Sequence, residues 1–578
     1  MTNEHVLKIT GSALTEGRLN IRPCGRDFFP PGAFGKPRKS DDSATPVVVH
    51  AVGLGESMQT DIPMDQHGRP RWFFRERGWV KRIVKRYKLS TGDNVILSRR
   101  PSGEYEIRPQ NGNGGKTPLL PGMVGVVEEN TGRGRNGELN KVLPEDRPVH
   151  EWYRFVLSYP PHLVRAYVQR FGLQSGHVVL DPFCGTGTTV VEARKLGLIG
   201  VGVEANPMAC FASQTKADWS PDPRSMLAHA RRVAKEALER LRSQGIEDSS
   251  VLKGPIPKTA LESLDPESSA LLLKDCISPL PLHKLLVLLS CLERMRAPAF
   301  CAHERLAIAK TAVFYASNLH FGPEVGVGIK KADVPVVGPW LCCVENMCAD
   351  LLALKGKRYP RATVHLADSR QINACVQPGS VDAVITSPPY PNEKDYTRTT
   401  RLESVLLGLI QNKKELRSLK QSLVRSNTRN VYRGDNDDLW VKSFPEIQQI
   451  ADRIEARRVE LGKTSGFERL YPRVTKLYFG GMARHLADLR RVLRPGAQLA
   501  YVVGDQASYL RVMIRTGEIL GSIAESLGYE VVGIDLFRTR LSTATREQLR
   551  EEVVVLKWPV TKTRKARNAR KEPISPTD

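Results

Sequence analysis

Two short segments carry the residue types that could do chemistry. Residues 181–189 read Asp-Pro-Phe-Cys-Gly-Thr-Gly-Thr-Thr and follow the apolar run 178–180. Residues 386–390 read Thr-Ser-Pro-Pro-Tyr and follow a second, mainly apolar run, 381–385. A short apolar run that ends in turn residues is typical of a buried strand followed by a loop. The pattern therefore predicts two loops at strand ends, where the ligand-binding residues of α/β proteins lie.

Glycines and acidic residues in and after the first loop favour a nucleoside cofactor. Gly185 and Gly187 allow the backbone to approach a ligand closely and to adopt positive φ. Asp181, Glu204 and Asp368 each follow an apolar run, so their carboxyl groups are expected at the carboxyl edge of a parallel sheet. A phosphate-binding P-loop would need Gly-Lys-Ser/Thr, and a dinucleotide fingerprint would need glycine or alanine where the chain has a valine.

The second loop has groups that can prepare the exocyclic amine of a base for reaction. Such an amine is a poor nucleophile because its lone pair is delocalised into the ring, and hydrogen bonds to both of its protons can aim that lone pair. Ser387 offers its hydroxyl and Pro388 its carbonyl oxygen, and the consecutive prolines hold both acceptors in place. Tyr390 offers an aromatic face to a base turned out of its helix. The loop contains no Pro-Cys pair, which disfavours a thiolate route to carbon 5 of cytosine.

Together the two loops resemble the cofactor and catalytic motifs of S-adenosylmethionine-dependent DNA amino-methyltransferases. The resemblance implies that Asp181 faces the amino group of the methionine part and that Glu204 binds the ribose hydroxyls. It also implies that Asp368, with its neighbour in the chain, pairs with the adenine amine. The implied cofactor-binding residues are Asp181, Phe183, Gly185, Gly187, Thr188, Glu204, Asp368 and Ser369. The implied catalytic residues are Ser387, Pro388, Pro389 and Tyr390. In this family the stretch that matches Phe155 and Pro161 also helps to enclose the cofactor, and no metal takes part.

The target base follows from the serine of the second loop. Serine favours the N4 amine of cytosine, because N6-adenine enzymes more often have asparagine or aspartate there. The residues Asn392, Lys394, Asp395 and Tyr396 also resemble the extension seen in cytosine-N4 enzymes. Adenine N6, an RNA substrate, and a DNA-binding protein with an inactive transferase domain stay open as alternatives. Many Ser-Pro-Pro-Tyr enzymes have the catalytic motif first, whereas here it comes second, which leaves open which inserted segment reads the DNA sequence.

Strands that alternate with helices around both loops predict an α/β fold. We expect a Rossmann-like methyltransferase sheet with helical insertions, preceded by a small β-rich, pseudobarrel-like domain. A turn is expected at 494–496, directly before a strand at 499–503. The expected segments are a β-rich DNA-binding module (1–110), a linker (111–148), the cofactor half of the methyltransferase (149–219), a helical insertion (220–355), the catalytic loop (356–396), a second helical insertion for target recognition (397–480), the C-terminal part of the methyltransferase (481–558) and a basic tail (559–578).

The N-terminal segment interleaves basic and aromatic residues between positions 71 and 88. Trp79, Ile83 and Tyr87 recur at helical spacing and are expected to pack in a core, which leaves the lysines and arginines for phosphate contacts. An aromatic strand, a short basic helix and a Gly-Asp turn occur in that order within residues 5–110. This order is similar to the DNA-binding pseudobarrel of plant transcription factors and restriction-enzyme effector domains, which implies that the module binds DNA.

Composition agrees with a polyanionic partner. A net charge of +24 over 578 residues attracts nucleic acid, and double-stranded DNA is the expected partner. The ten cysteines have no Cys-x-x-Cys spacing, so free thiols in a reducing compartment are expected rather than a zinc site at Cys342, Cys343, Cys348 and Cys375. No apolar run approaches the roughly 20 residues that span a bilayer, and the first residues do not have the pattern of a signal peptide. We expect a cytoplasmic enzyme with no membrane contact, whose further partner could be a separate restriction or defence nuclease.

Overall fold

The computed structural model describes residues 4–35, 46–51, 56–65, 69–87, 89, 93–99, 104–109, 143–154, 158–248, 261–321, 324–392, 394–541 and 548–560. The chain divides into two compact units, Met1–Asn130 (unit 1) and Thr131–Asp578 (unit 2). Most of the expected linker, Gly92 of the expected Gly-Asp turn, Phe155 and nearly all of the basic tail lie outside the described residues.

Unit 1 is rich in strands. Its strands are β1 (Glu4–Lys8), β2 (Phe34–Gly35), β3 (Val47–Ala51), β4 (Glu56–Thr60), β5 (Ile62–Pro63), β6 (Asn94–Arg99) and β7 (Tyr105–Pro109). Its helices are α1 (Gly11–Thr15) and α2 (Arg77–Arg86). In the described part of this unit, five strands form a mixed sheet in the order β1-β6-β7-β3-β4, and β2 pairs with β5. The prediction of a β-rich N-terminal module is confirmed.

Helix α2 is amphipathic, as its sequence predicted. Trp79 and Ile83 are buried in the core of unit 1 together with Val80, while Lys81 and Arg82 are exposed. Apolar residues at helical spacing therefore face the sheet, and the cationic side chains face solvent.

Unit 2 contains the large sheet. Its strands are β8 (Val178–Asp181), β9 (Ile199–Glu204), β10 (Leu319–Phe321), β11 (Val325–Val327), β12 (Thr363–Leu366), β13 (Val381–Thr386), β14 (Leu493–Gly504), β15 (Glu530–Leu541) and β16 (Gln548–Lys557). Among the described residues, seven of these strands form one sheet in the order β12-β9-β8-β13-β14-β16-β15, and β10 pairs with β11. The first five strands of that order run parallel, and β16 is antiparallel to both β14 and β15.

The strand order makes the fold a Rossmann-like one. Counted along the chain within the described sheet, the order is 3-2-1-4-5-7-6, so the direction of winding reverses between β8 and β13. In open α/β sheets this reversal leaves a crevice beyond the carboxyl ends of the two strands. The predicted α/β class is confirmed.

Helices cover both faces of the sheet. The described helices of unit 2 are α3 (Arg147–His150), α4 (Pro161–Arg170), α5 (Thr188–Lys195), α6 (Pro207–Ala217), α7 (Pro223–Ser243), α8 (Pro266–Ser269), α9 (Pro279–Arg294), α10 (Cys301–Thr311), α11 (Val337–Leu354), α12 (Tyr396–Thr399), α13 (Arg401–Leu406), α14 (Lys413–Ser422), α15 (Pro445–Glu460), α16 (Tyr471–Leu489) and α17 (Thr516–Ser526). Leu180 and Val384 pack against α16 and α17, whereas Val179 and Ile385 pack against α4 and α5. Successive strand residues point to opposite faces, so these buried strands are apolar on both sides.

The expected turn at 494–496 lies inside β14. Gly496 has φ +88°, and the pairing of β14 with β13 shifts from Leu493 opposite Val381 to Gln498 opposite Ala383. Arg494–Gly496 therefore form a bulge that continues the strand. A bulge and a turn need the same left-handed glycine, which is why the sequence alone suggested a turn.

Helix α11 is the one helix among the described residues whose length and composition would suffice for a membrane span. It also contains Glu345 and Asp350, and Trp340, Val344 and Met347 are buried in a core formed with α7, α9 and α10. The core helix of a soluble protein meets the same two criteria, so this helix is weak support for a membrane span.

Candidate active site

The strand order brings the two predicted loops together. β8 and β13 are adjacent and parallel, with Val179 opposite Ala383 and Leu180 opposite Val384. Both strands end at the same edge of the sheet, so the loop after Asp181 lies beside the loop after Thr386. A cleft of about 760 Å³ opens at this point.

Most of the residues that the sequence predicted for the site line this cleft. On the cofactor side the lining includes Phe183, Gly185, Thr188, Glu204 and Ser369. On the catalytic side it includes Ser387, Pro388, Pro389 and Tyr390. Of the described residues predicted to bind the cofactor, Asp181, Gly187 and Asp368 are not part of this lining.

Glu204 ends β9 at the wall of the cleft. Its Oε2 accepts a hydrogen bond from the Gly185 amide at 2.8 Å, and its Oε1 accepts one from the Asn206 amide at 2.8 Å. Burial raises the pKa of Glu204 to about 7, although both backbone hydrogen bonds act in the opposite direction. Each carboxylate oxygen can accept a further hydrogen bond, as binding of two ribose hydroxyls would require.

Asp181 is fully buried and joins the two loops from below. Its Oδ1 accepts hydrogen bonds from the Thr386 hydroxyl at 2.6 Å and the Phe183 amide at 3.1 Å. Its Oδ2 accepts one from the Tyr159 hydroxyl at 2.8 Å, and Tyr159 itself lines the cleft. Burial raises the pKa of Asp181 to about 6, and these hydrogen bonds limit the rise. The carboxylate thus couples the position of the residue before Ser387 to the cofactor loop.

The two glycines of the first loop are needed for different structural reasons. Gly187 has φ +86°, and a Cβ there would lie 2.4 Å from the Ser213 hydroxyl oxygen of α6. It therefore permits close packing at the start of α5. Gly185 has φ +51°, and a Cβ there would meet no atom within 4 Å. Gly185 therefore leaves open space on the side of the cleft, where a ligand can approach the backbone.

Asp368 and Ser369 are neighbours in the chain but have different hydrogen-bond partners. Asp368 forms an ion pair with Arg370, at 2.7 Å from its Nη2, so it is already paired in this structure. Ser369 lines the cleft, and its carbonyl oxygen lies 2.9 Å from Nδ1 of His485. Burial lowers the pKa of His485 to about 4, so the ring is neutral and donates from Nδ1 to this carbonyl. The His485 ring also contacts Phe183 edge to face at 4.9 Å, which fixes another cleft residue.

The loop that contains Ser387 and Tyr390 is held against β14. The Ser387 hydroxyl donates to the Val502 carbonyl oxygen at 3.2 Å, which leaves the oxygen of this hydroxyl as an acceptor. The Tyr390 ring lies over Gly504, where an added Cβ would be 3.0 Å from the ring atom Cε2. Burial raises the pKa of Tyr390, so its phenol stays protonated and the ring is available as a neutral aromatic face.

Comparison with known proteins agrees with this geometry. A family model described as DNA methylase matches residues 129–215. The Type II methyltransferase M.BsoBI of Geobacillus stearothermophilus is 25% identical over 447 residues, which cover 72% of this chain and 86% of that protein. The Type II methyltransferase M.AvaI of Nostoc sp. (strain PCC 7120 / SAG 25.82 / UTEX 2576) is 23% identical over 446 residues, which cover 72% and 87%. These matches support a DNA amino-methyltransferase. The solved structure of TrmN from Thermus thermophilus aligns over 71% of this chain and 52% of that chain at 11% identity, with a TM-score of 0.22, a similarity too weak to support a conclusion.

Several polar side chains that line the cleft were not singled out by the sequence analysis. Tyr159, Gln506, Arg538 and Glu551 all line it. Tyr159 lies in the stretch between Phe155 and Pro161 that the resemblance implied near the cofactor, although the tyrosine itself was not singled out, and the other three come from the far half of the chain. No local motif marks these three, because Arg538 and Glu551 reach the cleft through the pairing of β15, β16 and β14, and Gln506 follows the end of β14.

The chain's residues fit S-adenosylmethionine. The cleft volume is in the range of small-molecule sites, and the open space at Gly185 and the Glu204 carboxylate suit a nucleoside. Gln506 is 2% exposed, and its Nε2 has no hydrogen-bond partner among the described residues. A buried amide without a partner costs free energy, so a ligand acceptor in the cleft would stabilise it. In the part of the chain that the structure describes, no group of three or more His, Cys, Asp or Glu side chains could hold a metal ion.

Proposed function

We propose that the protein transfers a methyl group from S-adenosylmethionine to the N4 amine of a cytosine turned out of double-stranded DNA. The single observation that carries the proposal is that Ser387 and Tyr390 line the same cleft as Gly185 and Glu204. The acceptor loop and the nucleoside-binding loop thus face one space. The similarity to Type II methyltransferases supports DNA as the substrate and a role in restriction-modification.

S-adenosylmethionine supplies a methyl group on a positively charged sulfur. In the proposed site Glu204 binds the ribose hydroxyls, and Ser369 and Phe183 border the adenine. The Asp181 carboxylate attracts the ammonium group of the methionine part. The Ser387 hydroxyl oxygen and the Pro388 carbonyl accept the two amine protons, while the base stacks on Tyr390. The N–C bond then forms as the C–S bond breaks, and the amine loses one proton to solvent. Positioning supplies most of the rate, since the sulfonium is already a good leaving group.

Unit 1 is proposed to add DNA affinity. Its β-rich sheet and the exposed cations of α2 agree with the predicted pseudobarrel-like DNA-binding module. We further propose that the enzyme acts in the cytoplasm, where its DNA is, beside a separate nuclease that cuts unmethylated sites.

The test is mass spectrometry of nucleosides from unmethylated DNA that has been incubated with the protein and S-adenosylmethionine. We expect N4-methylcytosine with the wild type and at least about a 100-fold lower rate with Ser387→Ala, because the amine loses one acceptor in a site whose rate depends on positioning. Cofactor affinity, measured by calorimetry, should not change.

The matched control is Ser380→Ala, which removes a hydroxyl that donates a hydrogen bond to the Gln377 carbonyl oxygen just before β13 begins. Ser380→Ala should keep wild-type activity. N6-methyladenine as the product would replace the proposed base, and equal rates for the wild type and Ser387→Ala would remove Ser387 from the chemistry. The absence of any methylated nucleoside with the wild type would favour the inactive-transferase alternative.

A further inference from the structure

Three neighbouring strands place a row of residues across the wall of the cleft. Gly504 of β14 is the register partner of Glu551 in β16, and Glu551 is the partner of Arg538 in β15. Directly paired residues of adjacent strands point to the same face of a sheet. Arg538 and Glu551 both line the cleft, on the side of the catalytic loop.

This row of residues lies next to the Tyr390 ring, on which the base is proposed to stack. A Cβ on Gly504 would lie 3.0 Å from Tyr390 Cε2 and 3.4 Å from Glu551 Cγ. Tyr390 and Glu551 therefore approach the same point above the sheet from two sides. Glu551 and, one strand further, Arg538 therefore border the space in which a base stacked on Tyr390 would lie.

Arg538 is held rigidly by Glu551. Its Nε lies 2.6 Å from Glu551 Oε2, and its Nη2 lies 2.9 Å from Oε1, in a two-point pairing. The two side chains are 19% and 11% exposed. Taking such an ion pair out of water costs free energy. Its position at the wall of the cleft therefore suggests a role in ligand binding in addition to joining the two strands. The pairing uses one edge of the guanidinium, and the other edge has a further parallel pair of donors on Nη1 and Nη2.

We propose that Arg538, oriented by Glu551, reads the edge of the extruded base beside the reacting amine and thereby selects cytosine. The inference rests on the proposed methyl transfer to DNA and adds the groups that choose the base. Next to its C4 amine, cytosine has two adjacent acceptors, N3 and O2. Two parallel N–H donors can satisfy both of them. Next to its C6 amine, adenine has the acceptor N1 and then a C–H group, so one donor of Arg538 would lose its hydrogen bond on desolvation.

The test compares Arg538→Met with the double variant Arg538→Met/Glu551→Met. The single change removes the Arg538 charge that faces the buried Glu551 carboxylate, so it is expected to lower Tm, whereas the double change removes both charges and should restore Tm. Transfer to unmethylated genomic DNA is measured as N4-methylcytosine per unit time. We expect kcat/KM to fall roughly 10- to 100-fold in both variants, because each loses hydrogen bonds from a charged group to the base. Affinity for S-adenosylmethionine, measured by calorimetry, should stay at the wild-type value.

The matched control is Arg170→Met, which removes the ion pair with Asp535 on the same strand, outside the cleft lining. This variant should keep wild-type kcat/KM. Wild-type kcat/KM in the double variant would show that the pair only joins β15 to β16 and would overturn the inference, while the proposed function would stand. N6-methyladenine as the sole product of the wild type would overturn the selection of cytosine. A wild-type chain that methylates no base would remove the proposed function and this inference with it.

Discussion

At the scale of single residues, burial decides what the acidic groups of the site can do. Glu204 keeps access to the cleft, whereas Asp181 lies beneath it and Asp368 is occupied by Arg370. The position of a carboxylate at a strand end is therefore not sufficient to predict that it is open to a ligand. The partners of that carboxylate in the folded chain decide its role.

Asp181→Asn tests the proposed contact with the cofactor's ammonium group. The amide keeps the shape of the side chain but removes the negative charge, so we expect about a 10-fold weaker affinity for S-adenosylmethionine. Calorimetry measures the change. Asp382→Asn is the matched control, because Asp382 accepts from the Val178 amide near the opposite end of β13. Unchanged affinity in Asp181→Asn would leave Asp181 with only its role in joining the loops.

Glu403→Gln tests the effect of burial on stability. Glu403 is fully buried on α13 and accepts a hydrogen bond from the Tyr153 hydroxyl, and burial raises its pKa to about 7. In the unfolded chain Glu403 loses its proton near the ordinary pKa of about 4.3, whereas in the folded chain it keeps the proton up to about pH 7. The stability that the protonated Glu403 side chain contributes is therefore complete below about pH 4.3 and is lost as the pH rises to about 7. Glutamine has no proton to lose.

Relative to wild type, Glu403→Gln should therefore gain on the order of 2 kcal/mol in unfolding free energy between pH 5 and pH 8. Urea unfolding at the two pH values measures this gain. Glu525→Gln, a change at an exposed position on α17, should show none. An equal pH dependence for Glu403→Gln and wild type would contradict the raised pKa.

At the scale of elements, the site depends on strand ends that lie side by side. β8 and β13 bring the two loops together, and β14 supports the catalytic loop through Val502 and Gly504. The loop after β8 is hydrogen-bonded to Glu204 at the end of β9, and the loop after β13 to Val502 of β14, so neighbouring strands of the sheet position both loops. A change in the end of a strand should therefore act on catalysis without touching the reacting groups.

Gly504→Val tests this dependence. The added side chain would collide with the Tyr390 ring, which has to shift, and we expect about a 100-fold lower rate of transfer because the stacked base is misplaced. Cofactor affinity should remain unchanged, since the cofactor loop lies on β8. Gly533→Val on β15 is the control, because a Cβ at Gly533 meets no atom within 4 Å. Equal rates of transfer for both valine variants would show that the position of the Tyr390 ring does not affect catalysis.

At the scale of the whole molecule, the positive charge and the two compact units suggest divided roles. Unit 2 contains the cleft, while unit 1 has a core of its own and a cationic helix face. Proposed DNA binding by unit 1 would raise the affinity of the enzyme for any DNA sequence, since phosphate contacts are independent of sequence.

Lys81→Gln/Arg82→Gln tests the proposed role of unit 1. Loss of two phosphate contacts should weaken DNA binding and reduce the slope of log affinity against log salt by about 2. Fluorescence anisotropy over a range of salt concentrations measures both quantities. Arg232→Gln/Lys235→Gln, exposed on α7, provides a change of equal charge elsewhere. The same slope for the two double variants would take α2 out of the DNA interface.

The sequence by itself determined the local parts of this protein. The two loops, the glycines with positive φ, the buried strands before them and the amphipathic α2 all follow from neighbouring residues, because turn geometry and burial leave short-range patterns. The tertiary structure decided what those residues meet. Strand order brought Ser387 to Glu204, close packing required glycine at 187 and 504, and antiparallel pairing of β14, β16 and β15 set Arg538 and Glu551 in the wall of the cleft. These contacts join residues far apart in the chain, and pairing over such distances depends on the packing of the whole sheet rather than on any local pattern.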